Sequence, residues 1–242
     1  MTPELTIVLT LMIASFVRGA SGFGAALIAM PILSGLTSVA EAAPLVALIG
    51  LTNDTLLCLY YRRSFDWAVV AQLLVGSVLG IPFGFLLLKI APANVMLSAL
   101  GLAIAAYSLY ALLSPAIPVL QSQRWLYGTG FVSGLLNGSY NLPGPPVILY
   151  GNSQKWSQET FKSNLSSFFW CNAVLVVLGH SLQQRISAVT LHHYAIALPS
   201  LLIGTSTGIA LSQYFNPKIF QRIVLAILLV LGIQLFRLGL RS

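Results

Sequence analysis

Eight apolar stretches, at 5–36, 42–61, 67–90, 93–113, 125–151, 161–180, 193–215 and 218–239, follow one another with only short polar gaps between them. A bilayer's hydrocarbon core is about 30 Å thick, the length of a helix of about 20 apolar residues. Inside lipid every backbone N–H and C=O needs an internal partner, so a chain of such stretches is restricted to helices. Charge points the same way. Asp, Glu, Lys and Arg make up 7% of the 242 residues, against about 25% in a soluble domain. Mean hydropathy is +0.88. The chain is therefore expected to be an all-α integral membrane protein, one membrane domain over residues 1–242 with no room for a soluble one.

The first residues, Met1-Thr-Pro-Glu4, lack the positive region of a signal peptide, so the first apolar stretch is expected to be retained. A net charge of +7 is explained by basic loops facing the cytoplasm and anionic lipid rather than by nucleic acid. The expected partners are thus the lipid bilayer and a small solute, with no nucleic acid; homo-oligomerisation stays open. Cys58 and Cys171 sit within apolar stretches as small packing residues. No cofactor and no metal site is expected.

The polar stretch SPAIPVLQSQR (114–124) divides the chain into a first repeat, 1–113, and a second, 125–242. A shift of 119 places Gly19 on Gly138, Asn53 on Asn172, Arg18 opposite Asn137 and Ala25 opposite Gly144. A shift of 128 places GSVLG (76–80) on GTSTG (204–208), and a proline (Pro92, Pro217) then opens the last helix of each half. Landmarks kept in order are what a duplicated transporter half produces. The GxxxG runs at 76–80, 80–84 and 204–208 are expected to be close helix contacts.

The first stretch of each half is peculiar. Residues 5–36 as one helix would be about 48 Å long, yet GASGFG (19–24) interrupts them. Each glycine is roughly 1 kcal/mol worse than alanine inside a helix, so three within six residues favour a break. The second half repeats the design with NGSYNLPGPP (137–146), whose prolines stop one helix and suit the first turn of the next. The breaks are expected near the bilayer middle.

If each broken stretch crosses the membrane, the repeats are parallel; if each enters and returns as a hairpin, they are inverted. Setting aside Arg18, the crossing arrangement puts six positive residues on one side and five on the other. The hairpin arrangement gathers seven (Arg62, Arg63, Arg124, Lys155, Lys162, Lys218 and Arg222) against four. Positive residues concentrate in the cytoplasm, which favours hairpins and inversion.

Unpaired backbone is tolerated at membrane depth only where it lines a cavity or is buried in protein. Helices restarting near Ala25 and Gly144 would aim free N–H groups and positive dipole ends into such a cavity. Arg18 adds a full charge, costing about 2.5–3.5 kcal/mol on insertion scales unless it meets partners or water. Together they suit an anion with several oxygens, for which the planar guanidinium is a better fork than lysine. The expected substrate-binding residues are Arg18, Ser21, Gly22, Phe23, Gly24, Asn137, Asn141 and Gly144, with Asn53 and Asn172 flanking. Asn53 and Asn172 have a second reading, as hydrogen-bonded glue between helices. Asp54, also within an apolar run, is a candidate ion-pair partner of Arg18 and a candidate proton carrier.

At ASFVRGASGFGAALIAMPIL (14–33) and GFVSGLLNGSYNLPGPPVILY (130–150) the chain resembles the sulfite exporter TauE/SafE family, within the toluene sulfonate uptake permeases. Gly19, Gly22, Phe23, Gly24, Pro31 and Leu33 carry the first glycine-rich signature; Gly144, Pro145, Pro146 and Tyr150 carry the second, with Pro143 where a glycine usually falls. The resemblance implies a secondary transporter of sulfite, sulfoacetate or other organosulfonates, or thiosulfate, in a bacterial inner membrane. It does not imply a direction.

Two rival functions use the same features. GASG (19–22) matches the G-x-S-G of rhomboid-type intramembrane proteases, with Ser21 as nucleophile. Such a dyad needs a histidine inside another membrane helix, and His180, His192 and His193 all lie at the ends of apolar stretches. A passive anion channel could exploit the same helix dipoles.

Overall fold

The computed structural model describes residues 3–61, 65–113, 120 and 122–241. Among them are ten α-helices and no strand: α1 Pro3–Ser21, α2 Ala25–Leu36, α3 Val39–Tyr61, α4 Trp67–Ile90, α5 Ala93–Leu113, α6 Gln123–Tyr140, α7 Gly144–Ser153, α8 Gln158–Leu182, α9 Ala188–Leu211 and α10 Pro217–Arg241. Seven of these, all but α2, α6 and α7, are long and apolar enough to cross a membrane. Arg62, Arg63 and most of 114–124 lie outside the described residues.

The stretches at 5–36 and 125–151 are each two helices. After α1, Gly22 and Gly24 take φ of 82° and 101°, a left-handed backbone that a Cβ disfavours. After α6 the same task falls to Asn141, at φ 56°, one of the few side chains that tolerate this region. Its N–H reaches back to the Asn137 carbonyl at 2.8 Å, and that of Leu142 to Leu136 at 3.3 Å, closing the helix as a left-handed C-cap does. Helices α8 and α9 begin earlier than their apolar stretches because Ser157 and Ser187 accept first-turn N–H groups from Thr160 and Thr190.

Glycine seams decide the packing. Along α4, a Cβ on Gly76, Gly80 or Gly84 would run into the backbone of Tyr127, Phe131 and Leu135 on α6. In return, Gly130, Gly134 and Gly138 meet Leu73, Ser77 and Ile81. The residue numbers rise together, so α4 and α6 are parallel. Gly204 and Gly208 of α9 lie likewise on Met12 and Phe16, making α1 and α9 a second parallel pair. Gly101 and Gly239 join α5 to α10 in antiparallel fashion. The central pair, α3 and α8, is also antiparallel: Ser163 donates to the Tyr61 carbonyl at 2.5 Å and Trp170 to Thr55 at 3.1 Å. The repeated GxxxG runs are close-packing surfaces.

These contacts also fix where the short helices end. Leu36 and Thr37, at the end of α2, line a cavity of about 710 Å³ with Thr6 and Ile7 from the start of α1. Gln154, after α7, donates to the Leu120 carbonyl at 2.8 Å, just ahead of α6. Each short helix therefore ends on the side of the bundle where its longer partner began.

Candidate functional site

Arg18 occupies the last turn of α1 and Asp54 the second half of α3, and both are buried. The Arg18 Nε donates to Asp54 Oδ1 at 2.9 Å, and Nη2 donates to the same oxygen. Nη1 donates to the carbonyl of Gly22, in the break. The guanidinium lies 4.7 Å from the centre of the Phe169 ring on α8, a cation–π distance. The charge is thus held at the tip of the first hairpin by one helix on each side.

This pair forms part of the wall of a cavity of about 60 Å³, room for a handful of waters or one small solute. Phe23, Gly24, Asn137, Asn141 and Gly144 line it from the two breaks, and Val46, Ala47 and Gly50 from α3. Ser21, Gly22, Asn53 and Asn172 are not among the lining residues. The Ser21 hydroxyl stays within 2.7 Å of the Val17 carbonyl and 2.6 Å of that of Phe23, which ties the end of α1 to the break.

Asn53 and Asn172 are joints between helices. Asn53 on α3 donates to Ser15 of α1 at 3.0 Å and accepts from Thr205 of α9 at 2.7 Å. Asn172 on α8 accepts from Ser77 of α4 and lies 3.3 Å from the amide nitrogen of Asn137 on α6. The two joints differ in one respect: Asn137 faces the cavity, whereas Ser15 does not. Asn172→Ala is therefore expected to weaken transport as well as thermal stability. Asn53→Ala should lower stability in detergent by about 1–3 kcal/mol, the cost of an unpaired buried polar group, with half-saturation unchanged. Equal transport defects in both variants would contradict this assignment.

The two helix restarts are unequal. At α2 the N–H groups of Ala25, Ala26 and Leu27 precede the first intrahelical bond, Ile28 to Gly24 at 3.1 Å, and no side chain caps them. At α7 the second and third positions are Pro145 and Pro146, which have no N–H. Of the free donors expected at both breaks, most belong to α2. The breaks are also staggered. Asn141 donates to the Ala43 carbonyl near the start of α3 at 2.8 Å, while Arg18 meets Asp54. Eleven residues of α3 separate these contacts, about 16 Å at 1.5 Å per residue.

One cation here was counted only as a loop charge in the sequence. The stem of Lys162, in the first turns of α8, lies beside Gly22, and its amine is 3.3 Å from the Tyr61 hydroxyl. A basic residue at the junction of a polar gap and an apolar stretch was the available signal.

A bundle of membrane-length helices, with two broken helices and a buried guanidinium around a small internal cavity, is the architecture of a membrane transporter. The family described as Sulfite exporter TauE/SafE matches residues 7–235, and the chain belongs to it. A relative from Cupriavidus necator, named "Probable sulfite/organosulfonate exporter TauE", is 29% identical over 228 residues, covering 91% of this chain and 89% of the relative. No solved structure matches. The protein is accordingly a multi-pass protein of the bacterial inner membrane and a transporter, not an enzyme. Among the described residues, the hydrogen-bond partners of Ser21 are Val17 and Phe23, and no histidine is one of them.

Proposed function

We propose that the protein is a secondary carrier of small sulfur oxyanions, namely sulfite, thiosulfate and organosulfonates, and that the anion binds between the two breaks against Arg18. The observation that carries this reading is the buried guanidinium in the wall of a cavity shared by both helix restarts. A low-dielectric site with a fixed cation and convergent N–H groups favours an anion far more than water-exposed charges would. A tetrahedral or pyramidal oxyanion can accept from the guanidinium and the α2 N–H groups together, with the Asn137 amide lining the same cavity.

The two halves are inverted repeats in this reading. Exchanging α1 with α6, α3 with α8, and α4 with α9 turns each parallel pair into the other, and each hairpin into its counterpart. Such symmetry supports alternating access, in which the two arrangements swap roles around a fixed site. The side that holds Arg124, Lys155, Lys162, Lys218 and Arg222 faces the cytoplasm, so the Arg18 break is the deeper one from outside and Lys162 stands at its cytoplasmic approach.

Purified protein in proteoliposomes, offered sulfite, methanesulfonate, sulfate and acetate, tests the reading. Saturable flux with the sulfur anions ahead of acetate is the expected result. Equal flux of all four, or conductance of millions of ions per second, would replace a carrier by a pore. Lys162→Ala should raise the half-saturating concentration about two- to fivefold, in keeping with ~0.5–1 kcal/mol for a partly exposed charge. Added salt should shrink the difference.

A further inference from the structure

The Arg18–Asp54 pair leaves an incoming anion a problem that the cavity geometry makes specific. The Nε–Nη2 edge of the guanidinium, the edge that would grip an oxyanion with two parallel bonds, is occupied by a single oxygen of Asp54. The opposite amine is bound to the Gly22 carbonyl. Asp54 itself lines the cavity. A substrate anion must therefore displace a carboxylate from the guanidinium and then sit next to it, two negative charges sharing one positive one. At 4 Å and an effective dielectric of about 20, that repulsion is of the order of the attraction gained.

We propose that Asp54 takes up a proton as the anion takes Arg18, so that the protein carries the anion and one proton together; this rests on the anion-carrier reading above. The proton comes from water on the open side and is bound by the Asp54 carboxylate, which releases the guanidinium edge. Arg18 then pairs with the substrate, and the site holds no uncompensated charge. On the far side the anion leaves, the proton follows, and the Arg18–Asp54 bond re-forms. The empty carrier thus returns with its ion pair closed and neutral. Net flow follows the combined gradients of proton and anion, so a cell exports both once its outward anion ratio exceeds the inward proton ratio.

The surroundings of Asp54 leave this role to it. Arg18, from α1, is the charged group bonded to it. Its own helix adds Cys58 one turn further, and α8 adds Cys171 and, at its start, Lys162, which is engaged with Tyr61. From α2 there is no titratable side chain. From α6 comes the neutral amide of Asn137, and the Tyr194 hydroxyl of α9 is bonded to Thr52 at 2.6 Å.

The test uses methanesulfonate and 2-hydroxyethanesulfonate, strong acids that stay ionised throughout, so that any pH dependence belongs to the protein. Wild-type proteoliposomes containing a pH-sensitive dye, given an inward sulfonate gradient and no pH gradient, should acidify inside as the sulfonate enters. The flux should be indifferent to an imposed membrane potential, because one negative and one positive charge move together. Sulfonate affinity should rise as pH falls, by up to about tenfold per unit where the carboxyl titrates. Asp54→Asn should exchange labelled for unlabelled sulfonate at a rate that no longer varies with pH and should not acidify the lumen. Sulfonate entry by the wild type without acidification overturns the coupling and leaves the carrier reading standing, whatever the fate of the variant. Absence of sulfonate flux at every pH overturns both.

Discussion

Arg18→Ala is expected to abolish sulfur-oxyanion transport, with flux falling at least about a hundredfold, since losing one partner of a buried charged contact costs 2–5 kcal/mol. The same change strands Asp54, and an unpaired buried carboxylate is worth about 3–5 kcal/mol of destabilisation. A dead single variant could thus be dead through misfolding. The double variant, Arg18→Ala with Asp54→Asn, removes the stranded charge and should recover a monodisperse protein in detergent. It should still not transport. Arg18→Lys separates geometry from charge: it keeps the cation but not the planar fork, and should retain weak binding with poor discrimination between sulfonate and acetate. Transport by the double variant at wild-type rates would remove Arg18 from the site.

The second large effect concerns the seam between α4 and α6. Gly80→Leu or Gly134→Leu should eliminate folded protein, because the added side chain meets the backbone of Phe131 or Ser77 rather than a movable side chain. Overpacking commonly costs 1–3 kcal/mol even where neighbours can yield, and here the two helices would have to separate along their length. Gly128→Leu is the control. It lies on the same helix, α6, with nothing within 4 Å of its would-be Cβ, and should express, fold and transport like the wild type. Loss of the Gly128 variant too would mean that α6 tolerates no large side chain even away from the seam, since leucine is the better helix former of the two, and the seam would no longer account for the other losses. The readout is size-exclusion behaviour in detergent, followed by transport for whatever elutes normally.

Much of this was legible in the residues themselves. Gly22 and Gly24 of GASGFG and the clustered prolines of LPGPP end one helix and open the next through φ freedom and missing N–H groups, which are local properties, whereas Gly19 stays inside α1 and packs against α9. Arg18 within an apolar stretch demanded a partner, and Asp54 was the acidic residue placed to provide one. The unequal donor count at the two restarts could also have been read directly, from Pro145 and Pro146. Other features could not. GxxxG says that something comes close, not what, so the pairing of α4 with α6 and α9 with α1 is visible only in three dimensions. The stagger of the breaks depends on which residue of α3 each hairpin tip reaches, Ala43 or Asp54, and no local pattern encodes that. Asn53 and Asn172 allowed either role in the sequence, because an amide in a membrane helix satisfies its donors equally well against a solute or a neighbour.

The exchange of partners across the middle of the chain has a consequence for how the molecule can be divided. Residues 3–113 made as a separate polypeptide would present the glycine face of α4 and the matching face of α1 to acyl chains, each lacking the helix that covers it. Split at the segment between α5 and α6, the two fragments should accumulate only when co-produced, each acting as the other's missing wall. A single fragment would need a second copy of itself, upside down in the same membrane, to close those faces.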